Sequence, residues 1–151
     1  MPEACARFEK VPYDRLTAKQ KELFNFQKIA ATLADFGFNC IKLADDWQGA
    51  DFLAYHVNGS TTLKVQLQSR LTIDGKYHGK DIWMAFPHGG YWYLVPHDIL
   101  VEKVGQHTDW LKSLSWTDRH GYSSTSVNPG LLQILAEDQL GPVYGPVLSE
   151  D

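Results

Sequence analysis

A strict alternation of polar and apolar residues runs through TTLKVQLQSRLTI, residues 61–73, and constrains the fold more than any other feature of the chain. A period of two is typical of a β-strand that buries one face. Ser69 interrupts the apolar side of this pattern. The long polar side chains of the other face carry amide or positively charged groups: Lys64, Gln66, Gln68 and Arg70. The alternation predicts one long strand, whose polar face meets either water or the floor of a reactive cleft.

The segments on the N-terminal side predict an antiparallel partner for this strand. DFLAYHV, residues 51–57, reads as a strand, and Asn58-Gly59 is a strong hairpin signal. A hairpin through this turn brings Asp51 close to the level of Gln66. FNCIKLA before it is expected to be a further strand, and the polar segment DDWQGA between the two is expected to be a loop.

A long amphipathic helix is predicted before these strands. Thr17 is its expected N-cap, with Gln20 as the capping-box partner, and AKQKELFNFQKIAATLADFG follows. Apolar residues recur on one face at spacings of three and four: Phe26, Ile29, Leu33 and Phe36. Glu22 lies one turn before this stripe, and we expect its carboxylate to look towards the sheet.

The second half of the chain adds two strands and two helices. IWMAF and YWYLVP read as strands joined by the tight PHGG turn, and His97-Asp98 is expected to cap a short helix that runs to about Val104. TDRHGYSSTSVN reads as a loop. Asn128-Pro129 marks the start of a last helix, GLLQILAEDQL. This order predicts one α/β or α+β domain over residues 1–151, with a mixed sheet, flanking helices and loosely ordered ends, about 1–12 and 141–151.

Composition limits the classes of partner. The formal net charge is −4, so any contact with nucleic acid must come from a local basic patch. Cys5 and Cys40 form neither a CxxC pair nor a zinc-binding pattern, and a reduced, cytoplasmic protein is expected. The first ten residues do not resemble a signal peptide, and the chain lacks an apolar run of about eighteen residues, so no membrane contact is expected.

The predicted hairpin and helix bring together groups that suit a metal site. Asp51, Gln66, Gln68 and Glu22 would supply two carboxylates and two amides. Mg²⁺ prefers such oxygen ligands, and a bound Mg²⁺ both positions water and stabilises charge on a phosphate. Each residue also has an ordinary interpretation. Asp51 can cap the end of a loop, and Glu22 can be a solvated acid favoured by the helix dipole.

These motifs resemble the PD-(D/E)XK nuclease superfamily, over roughly residues 17–104. The core of that family is a helix followed by a three-stranded meander, with an Asp starting the second strand and an acid-x-Lys motif in the third. The pair Ser69-Arg70 is similar to the continuation of this motif in archaeal Holliday-junction resolvases. Certain intron-encoded homing endonucleases have Gln at the acid position, and KYHGKDIWMAF and YWYLVP look like their following segments.

The resemblance implies a restriction-endonuclease-like fold and a metal-dependent DNA endonuclease. Asp51, Gln66 and Glu22 would be the ligands of Mg²⁺ or Mn²⁺, with Gln66 at the acid position. Gln68 would stand at the lysine position, where an amide can hydrogen-bond a water but brings no positive charge. The proline that usually precedes the Asp is replaced by Gly49-Ala50.

A basic stretch after the hairpin is the expected contact to DNA, whether double-stranded or branched. The stretch contains one acidic residue, Asp74, and four basic residues that give it a net positive charge: Lys64, Arg70, Lys76 and Lys80. An exposed, solvated hairpin would show the same pattern. Because cutting both strands of a duplex needs two sites, a homodimer is one expected assembly.

Two rival functions remain at this point. A degenerate member of the family would keep the fold and bind DNA without catalysis. A protein-interaction module would use the aromatic residues as its interface and would not contact nucleic acid. Aromatic residues in the central segments either stack on bases or fill the core: Tyr77, Trp83, Tyr91 and Trp92.

Overall fold

The first helix of the computed structural model, α1 (Ala18–Ala34), begins at the predicted capping box. The Thr17 hydroxyl accepts a hydrogen bond from the Gln20 backbone N–H at 3.2 Å, and the Gln20 side chain accepts one from the Thr17 N–H at 2.9 Å. Two members of the apolar stripe, Ile29 and Leu33, are completely buried. Local sequence signals therefore fix both the start of α1 and the face that it buries.

The structure describes residues 7–143, whose strands form a six-stranded and a two-stranded sheet. The strands are β1 (Phe38–Trp47), β2 (Ala50–His56), β3 (Thr62–Leu67), β4 (Leu71–Asp74), β5 (Ile82–His88), β6 (Tyr91–Pro96), β7 (Gly121–Ser124) and β8 (Gln139–Pro142). The later helices are α2 (His97–His107), α3 (Leu114–Arg119) and α4 (Pro129–Ile134). The predicted α+β class, with an N-terminal helix, a mixed sheet and flanking helices, is confirmed.

The larger sheet has the strand order β1-β2-β3-β5-β6-β8. Strands β1, β2 and β3 form an antiparallel meander, and β5 runs parallel to β3. Strands β6 and β8 complete the sheet in antiparallel pairing. Strands β4 and β7 pair separately as the small sheet.

Each face of the larger sheet has its own core. On one face, Ile29 and Leu33 of α1 pack against Phe52 and Val65, with Trp92 in the same cluster. On the other face, alternate residues of β5 and β6 pack with α2, α4 and β4, and the completely buried members include Met84, Val95, Leu100, Val104 and Leu131. The sheet is thus covered on both sides, and the two cores share its strands through the period-two alternation.

The predicted hairpin between β2 and β3 is confirmed. The His56 N–H donates to the Thr61 carbonyl at 2.8 Å, and the Asn58 side chain accepts from the N–H groups of Ser60 and Thr61. Gly59 has a φ of +77°, which glycine adopts without strain. The turn chemistry read from Asn58-Gly59 therefore sets the register of β3 against β2.

The single long strand predicted over residues 61–73 is wrong. The chain bends at residues 68–70, so β3 and β4 belong to different sheets. Val65 packs under α1, whereas Ile73 belongs to the core on the opposite side. The apolar alternation continues across the bend because both segments bury alternate side chains, but each does so in a different core. Ser69, which interrupts the pattern, lies in the bend.

The loop predicted for DDWQGA is also wrong. Strand β1 continues through Trp47, and the turn is reduced to Gln48 and Gly49, whose φ values are +53° and +88°. Ala50 then pairs with Trp47 across the turn. The positive φ of both turn residues is the geometry of a two-residue hairpin, whose twist matches that of the strands it joins. The exposed polar residues of this segment therefore lie on the β1–β2 hairpin and not in a loop.

The C-terminal region contains more regular structure than predicted. TDRHGYSSTSVN is not a continuous loop, because it contains the end of α3 and the whole of β7. Asn128 is the expected N-cap of α4, and its side chain accepts from the Leu131 N–H at 2.8 Å. The helix ends early at Ile134, and β8 follows a short 3₁₀ turn.

The ends of the chain were predicted to be loosely ordered. Gly141 and Pro142 belong to β8, while residues 1–6 and 144–151 lie outside the described residues. Within residues 7–143, no helix combines the length and apolar character needed to span a membrane.

Candidate active site

Asp51 lies where β2 and β3 stop pairing. The β2–β3 ladder extends from Tyr55–Thr62 to Phe52–Val65. One residue beyond it, Asp51 Oδ2 accepts a hydrogen bond from the Leu67 backbone N–H at 2.9 Å. This bond holds the carboxylate beside the end of β3, between Gln66 in the strand and Gln68 just after it, at the level that the hairpin predicted.

The position of Asp51 disfavours its negative charge. Burial raises the pKa of the Asp51 carboxyl, and the charges of Glu22 and Asp46 raise the pKa further. The Leu67 N–H and the Lys42 ammonium lower the pKa, but the net shift is upward. A half-buried carboxylate with a raised pKa favours binding of a cation, and such groups are common at functional sites.

Glu22 faces the sheet, as expected from its place on α1, and its partner there is Lys42 of β1. Lys42 Nζ lies 3.1 Å from Glu22 Oε1, and Lys19 Nζ lies 3.8 Å from Glu22 Oε2. The Lys42 side chain is only 20% exposed, compared with 44% for Glu22. Lys42 was not predicted as part of the site, although the alternation along β1 places it on the same face as Cys40, which packs under α1.

The two glutamines have different surroundings. Gln66 is buried, and among the residues that the structure describes its Oε1 has no hydrogen-bond donor. The Gln68 backbone N–H donates to the Ala85 carbonyl at 2.9 Å, which extends the pairing of β3 with β5 by one residue. Gln66 thus offers a free carbonyl oxygen inside the protein, while Gln68 lies at the rim of a cleft.

Tyr77 is a second residue whose place in the site was missed. It is buried, and burial raises the pKa of its hydroxyl to about 12, with the charges of Asp51, Asp74 and Asp46 adding to the rise. The Gln68 side chain, which lies next to the hydroxyl, opposes this shift. Tyr77 therefore stays protonated at neutral pH and can donate a hydrogen bond near Asp51.

An open cleft of about 470 Å³ lies between α1 and the end of β3. Charged and polar side chains line much of it, among them Lys21, Glu22, Asn25, Gln68, Ser69 and Arg70. Leu67 also lines the cleft, and its backbone N–H connects the cleft to Asp51, which is not itself a lining residue. The cleft has the volume of a small-ligand site, and its lining offers both donors and acceptors.

The four predicted DNA-contacting residues lie in two places. Arg70 lines the cleft, whereas Lys76 and Lys80 line a smaller hollow of about 160 Å³ beside Asp46 and Tyr77. Lys64 lies beside Lys80, because its Nζ donates to the Lys80 carbonyl at 2.7 Å. The expectation that Lys64 and Arg70 share one strand face is therefore wrong.

The connection that carries Lys76 and Lys80 is anchored by α2. His97 Nε2 accepts a hydrogen bond from the Asp74 backbone N–H at 3.1 Å, and Asp98 Oδ2 accepts one from the Gly79 N–H at 3.0 Å. His97 and Asp98 were predicted to cap their own helix, but neither makes a side-chain capping bond, and the N-cap is Pro96. The two side chains instead hold the basic connection against the sheet.

The donor set can be tested against a divalent metal. Within residues 7–143 there is no group of three or more His, Cys, Asp or Glu side chains arranged to hold a metal ion. Mg²⁺ commonly binds through one or two carboxylates, and water and substrate phosphates complete its shell. The Asp51 carboxylate and the unpartnered Gln66 carbonyl are oxygen ligands of the type that such a sparse site uses. Glu22 fits less well as a ligand, since a lysine faces each of its oxygens.

Comparison with known proteins adds no identification. No family model matches this chain, and no curated protein or solved structure is significantly similar to it. The class of this site is therefore inferred from its residues and their geometry.

The raised pKa of Asp51 predicts a stabilising substitution. When a carboxyl has a higher pKa in the folded state than in the unfolded state, the free energy of unfolding decreases as the pH rises. The decrease begins at the unfolded pKa, about 3.9, and continues through the folded pKa. Asp51→Asn removes that loss and keeps an acceptor for the Leu67 N–H. In metal-free buffer we expect a higher melting temperature than wild type at pH 7, with the difference disappearing below about pH 3.9.

The matched control is Asp45→Asn, which neutralises an exposed carboxylate on the same hairpin. It should leave the melting temperature at pH 7 nearly unchanged. A lower melting temperature for Asp51→Asn at pH 7 would show that the carboxylate charge stabilises the fold.

Proposed function

We propose that this protein is a metal-dependent DNA endonuclease with the layout of the PD-(D/E)XK superfamily. The observation that carries the proposal is the hydrogen bond from the Leu67 N–H to Asp51 at 2.9 Å. It sets an acid of the second meander strand at the end of the third, where Gln66 and the following Gln68 stand at the positions of the family's acid-x-Lys motif. A phosphodiester would bind in the cleft next to this contact, where Gln68 and Arg70 are lining residues.

The order of elements supports the same assignment. Helix α1 precedes a meander of β1, β2 and β3, and Asp51 is the second residue of β2. This is the order of the family core that the sequence resembles. Fold alone does not determine function, so the chemical argument depends on the side chains at the end of β3.

Each residue has a stated role in the proposed reaction. Asp51 and the Gln66 carbonyl would hold Mg²⁺, which when bound polarises a phosphate and acidifies a water. The Gln68 amide orients the attacking water, and Arg70 offsets charge on the phosphate from within the cleft. Tyr77 supplies a neutral hydrogen-bond donor, because its hydroxyl has a pKa of about 12.

A second candidate is DNA binding without catalysis. The observation that favours it is the pairing of Glu22 with Lys42 at 3.1 Å, which occupies a carboxylate that the resemblance assigns to the metal. The cleft and Arg70 serve either function, and a homodimer would bring two such clefts to one duplex.

DNA cleavage in Mg²⁺ or Mn²⁺ tests the proposed function. We expect the wild-type protein to cut end-labelled branched or duplex DNA with either metal. Adding EDTA should stop this cleavage. Asp51→Asn should lower the rate at least a hundredfold, whereas Asp45→Asn should not. Binding without cleavage under all these conditions would favour the second candidate. If the protein neither binds nor cuts DNA, both candidates are refuted.

The salt dependence of DNA binding tests the cleft as the contact surface. Arg70→Ala should reduce the slope of log affinity against log salt concentration by about one unit, because one phosphate contact is lost. Lys64→Gln is the control, since the Lys64 ammonium is directed at the Lys80 carbonyl. Fluorescence anisotropy at several salt concentrations measures both slopes, and equal losses in the two variants would rule out this use of the cleft.

Restoring the acid at position 66 should strengthen the metal site. Gln66→Glu buries a second carboxylate near Asp51, so in EDTA its melting temperature should be lower than that of wild type. Mn²⁺ should then raise the melting temperature of this variant by more than it raises that of wild type. Gln27→Glu, an exposed change on α1, provides the control for added charge. Equal Mn²⁺ effects in all three proteins would exclude Gln66 from the site.

A further inference from the structure

The protein places one of its own cations at the candidate metal site. Lys42 Nζ lies 3.1 Å from Glu22 Oε1, and this bond joins β1 to α1 across the edge of the cleft. The Lys42 side chain is four-fifths covered, so its ammonium is held more closely than that of an ordinary surface lysine. Glu22 is held from the other side by Lys19, whose Nζ lies 3.8 Å from Oε2.

The register of β1 and β2 places Lys42 one residue from the level of Asp51. Lys42 pairs with Phe52, which directly follows Asp51 in the chain. The regular ladder stops at this pair and resumes only at Trp47–Ala50, so the irregular segment of β1 lies opposite Asp51. Irregularities of this kind re-aim side chains next to functional sites. The charge of Lys42 acts on Asp51 and lowers its pKa against the larger effect of burial.

We propose that Lys42 is the resident cation of this site: its ammonium neutralises Glu22 and Asp51 in the metal-free protein, and a divalent cation must displace it. This inference depends on the proposed function for the identity of the incoming metal. It changes the role of Glu22, which becomes a positioning residue for Lys42 instead of a metal ligand. It also predicts a weak affinity for metal in the absence of DNA, because the carboxylates already have a counter-charge.

The displaced ammonium has an obvious new partner. A phosphate in the cleft would lie near Glu22, and it can accept the charge that Lys42 no longer shares with the carboxylates. Metal binding and DNA binding would then favour one another, and such coupling is reciprocal by linkage. Lys42 would thereby supply the positive charge that Gln68 lacks.

Direct titration of Mn²⁺ into the full chain tests this proposal, with free Mn²⁺ followed by electron paramagnetic resonance. Lys42→Met should bind Mn²⁺ about tenfold more tightly than wild type, because the substitution removes a positive charge that acts on Asp51 and repels an incoming cation. The added change Asp51→Asn should abolish the gain.

Lys21→Met is the matched control. Lys21 also lines the cleft, and its ammonium lies over the Tyr13 ring, 5.3 Å from the ring centroid. The substitution removes the same charge from the same cleft without freeing Glu22 or Asp51, so the Mn²⁺ affinity should change less than twofold. Equal tightening by Lys21→Met and Lys42→Met would overturn the proposal in favour of a general effect of charge.

The remaining outcomes separate this inference from the proposed function. If wild type cuts DNA with Mg²⁺ and Lys42→Met binds Mn²⁺ no more tightly, the inference alone fails. If Lys42→Met binds Mn²⁺ while wild type neither binds it nor cuts DNA, the inference stands and the proposed function fails. If Lys42→Met does not fold by circular dichroism, Lys42→Gln removes the charge with a polar side chain and gives the same test.

Discussion

The candidate site depends on one hydrogen bond, from the Leu67 N–H to the Asp51 carboxylate. It forms where β2 and β3 stop pairing, so a side chain accepts a backbone N–H just beyond the end of the ladder. An amide or a hydroxyl could accept the same bond without placing a charge in a half-buried position. The structure instead keeps a carboxylate whose negative charge is disfavoured there, and this is the compromise expected at a site that uses the charge.

The bend at residues 68–70 opens the cleft beside that hydrogen bond. Because β3 ends at Leu67 and the chain then leaves the larger sheet, no further strand residue fills the space beneath the start of α1. Ser69 and Arg70 line the space that is left. The same bend carries the chain to the second core, where β4 packs. One local irregularity therefore both creates the cleft and divides the apolar residues between the two faces of the sheet.

How much the sequence could predict depends on the range of the interaction. The capping box at Thr17, the hairpin at Asn58-Gly59 and the N-cap at Asn128 involve neighbours within a few residues, and all three are confirmed. The prediction of one strand over residues 61–73 was wrong because alternation shows that a face is buried but not which core buries it. The pairing of Lys42 with Glu22 was missed because it requires the register of β1 against β2 and the approach of α1. No spacing within the chain encodes that combination.

The charges at the site balance in a way that the glutamines alone do not suggest. Compared with the acid-x-Lys motif that this strand resembles, Gln66 and Gln68 remove one negative and one positive charge, so the net charge of the strand is the same. What is lost is the separation of charge that orients a phosphate and its metal. Lys42 and Glu22 restore an opposite pair at 3.1 Å, but from β1 and α1 instead of β3. The Lys42 side chain is 20% exposed and the Glu22 side chain 44%, so water screens the charges of this pair only in part. The opposite charges near the candidate site therefore come from β1 and α1, a different pair of elements from the one that the sequence motif indicates.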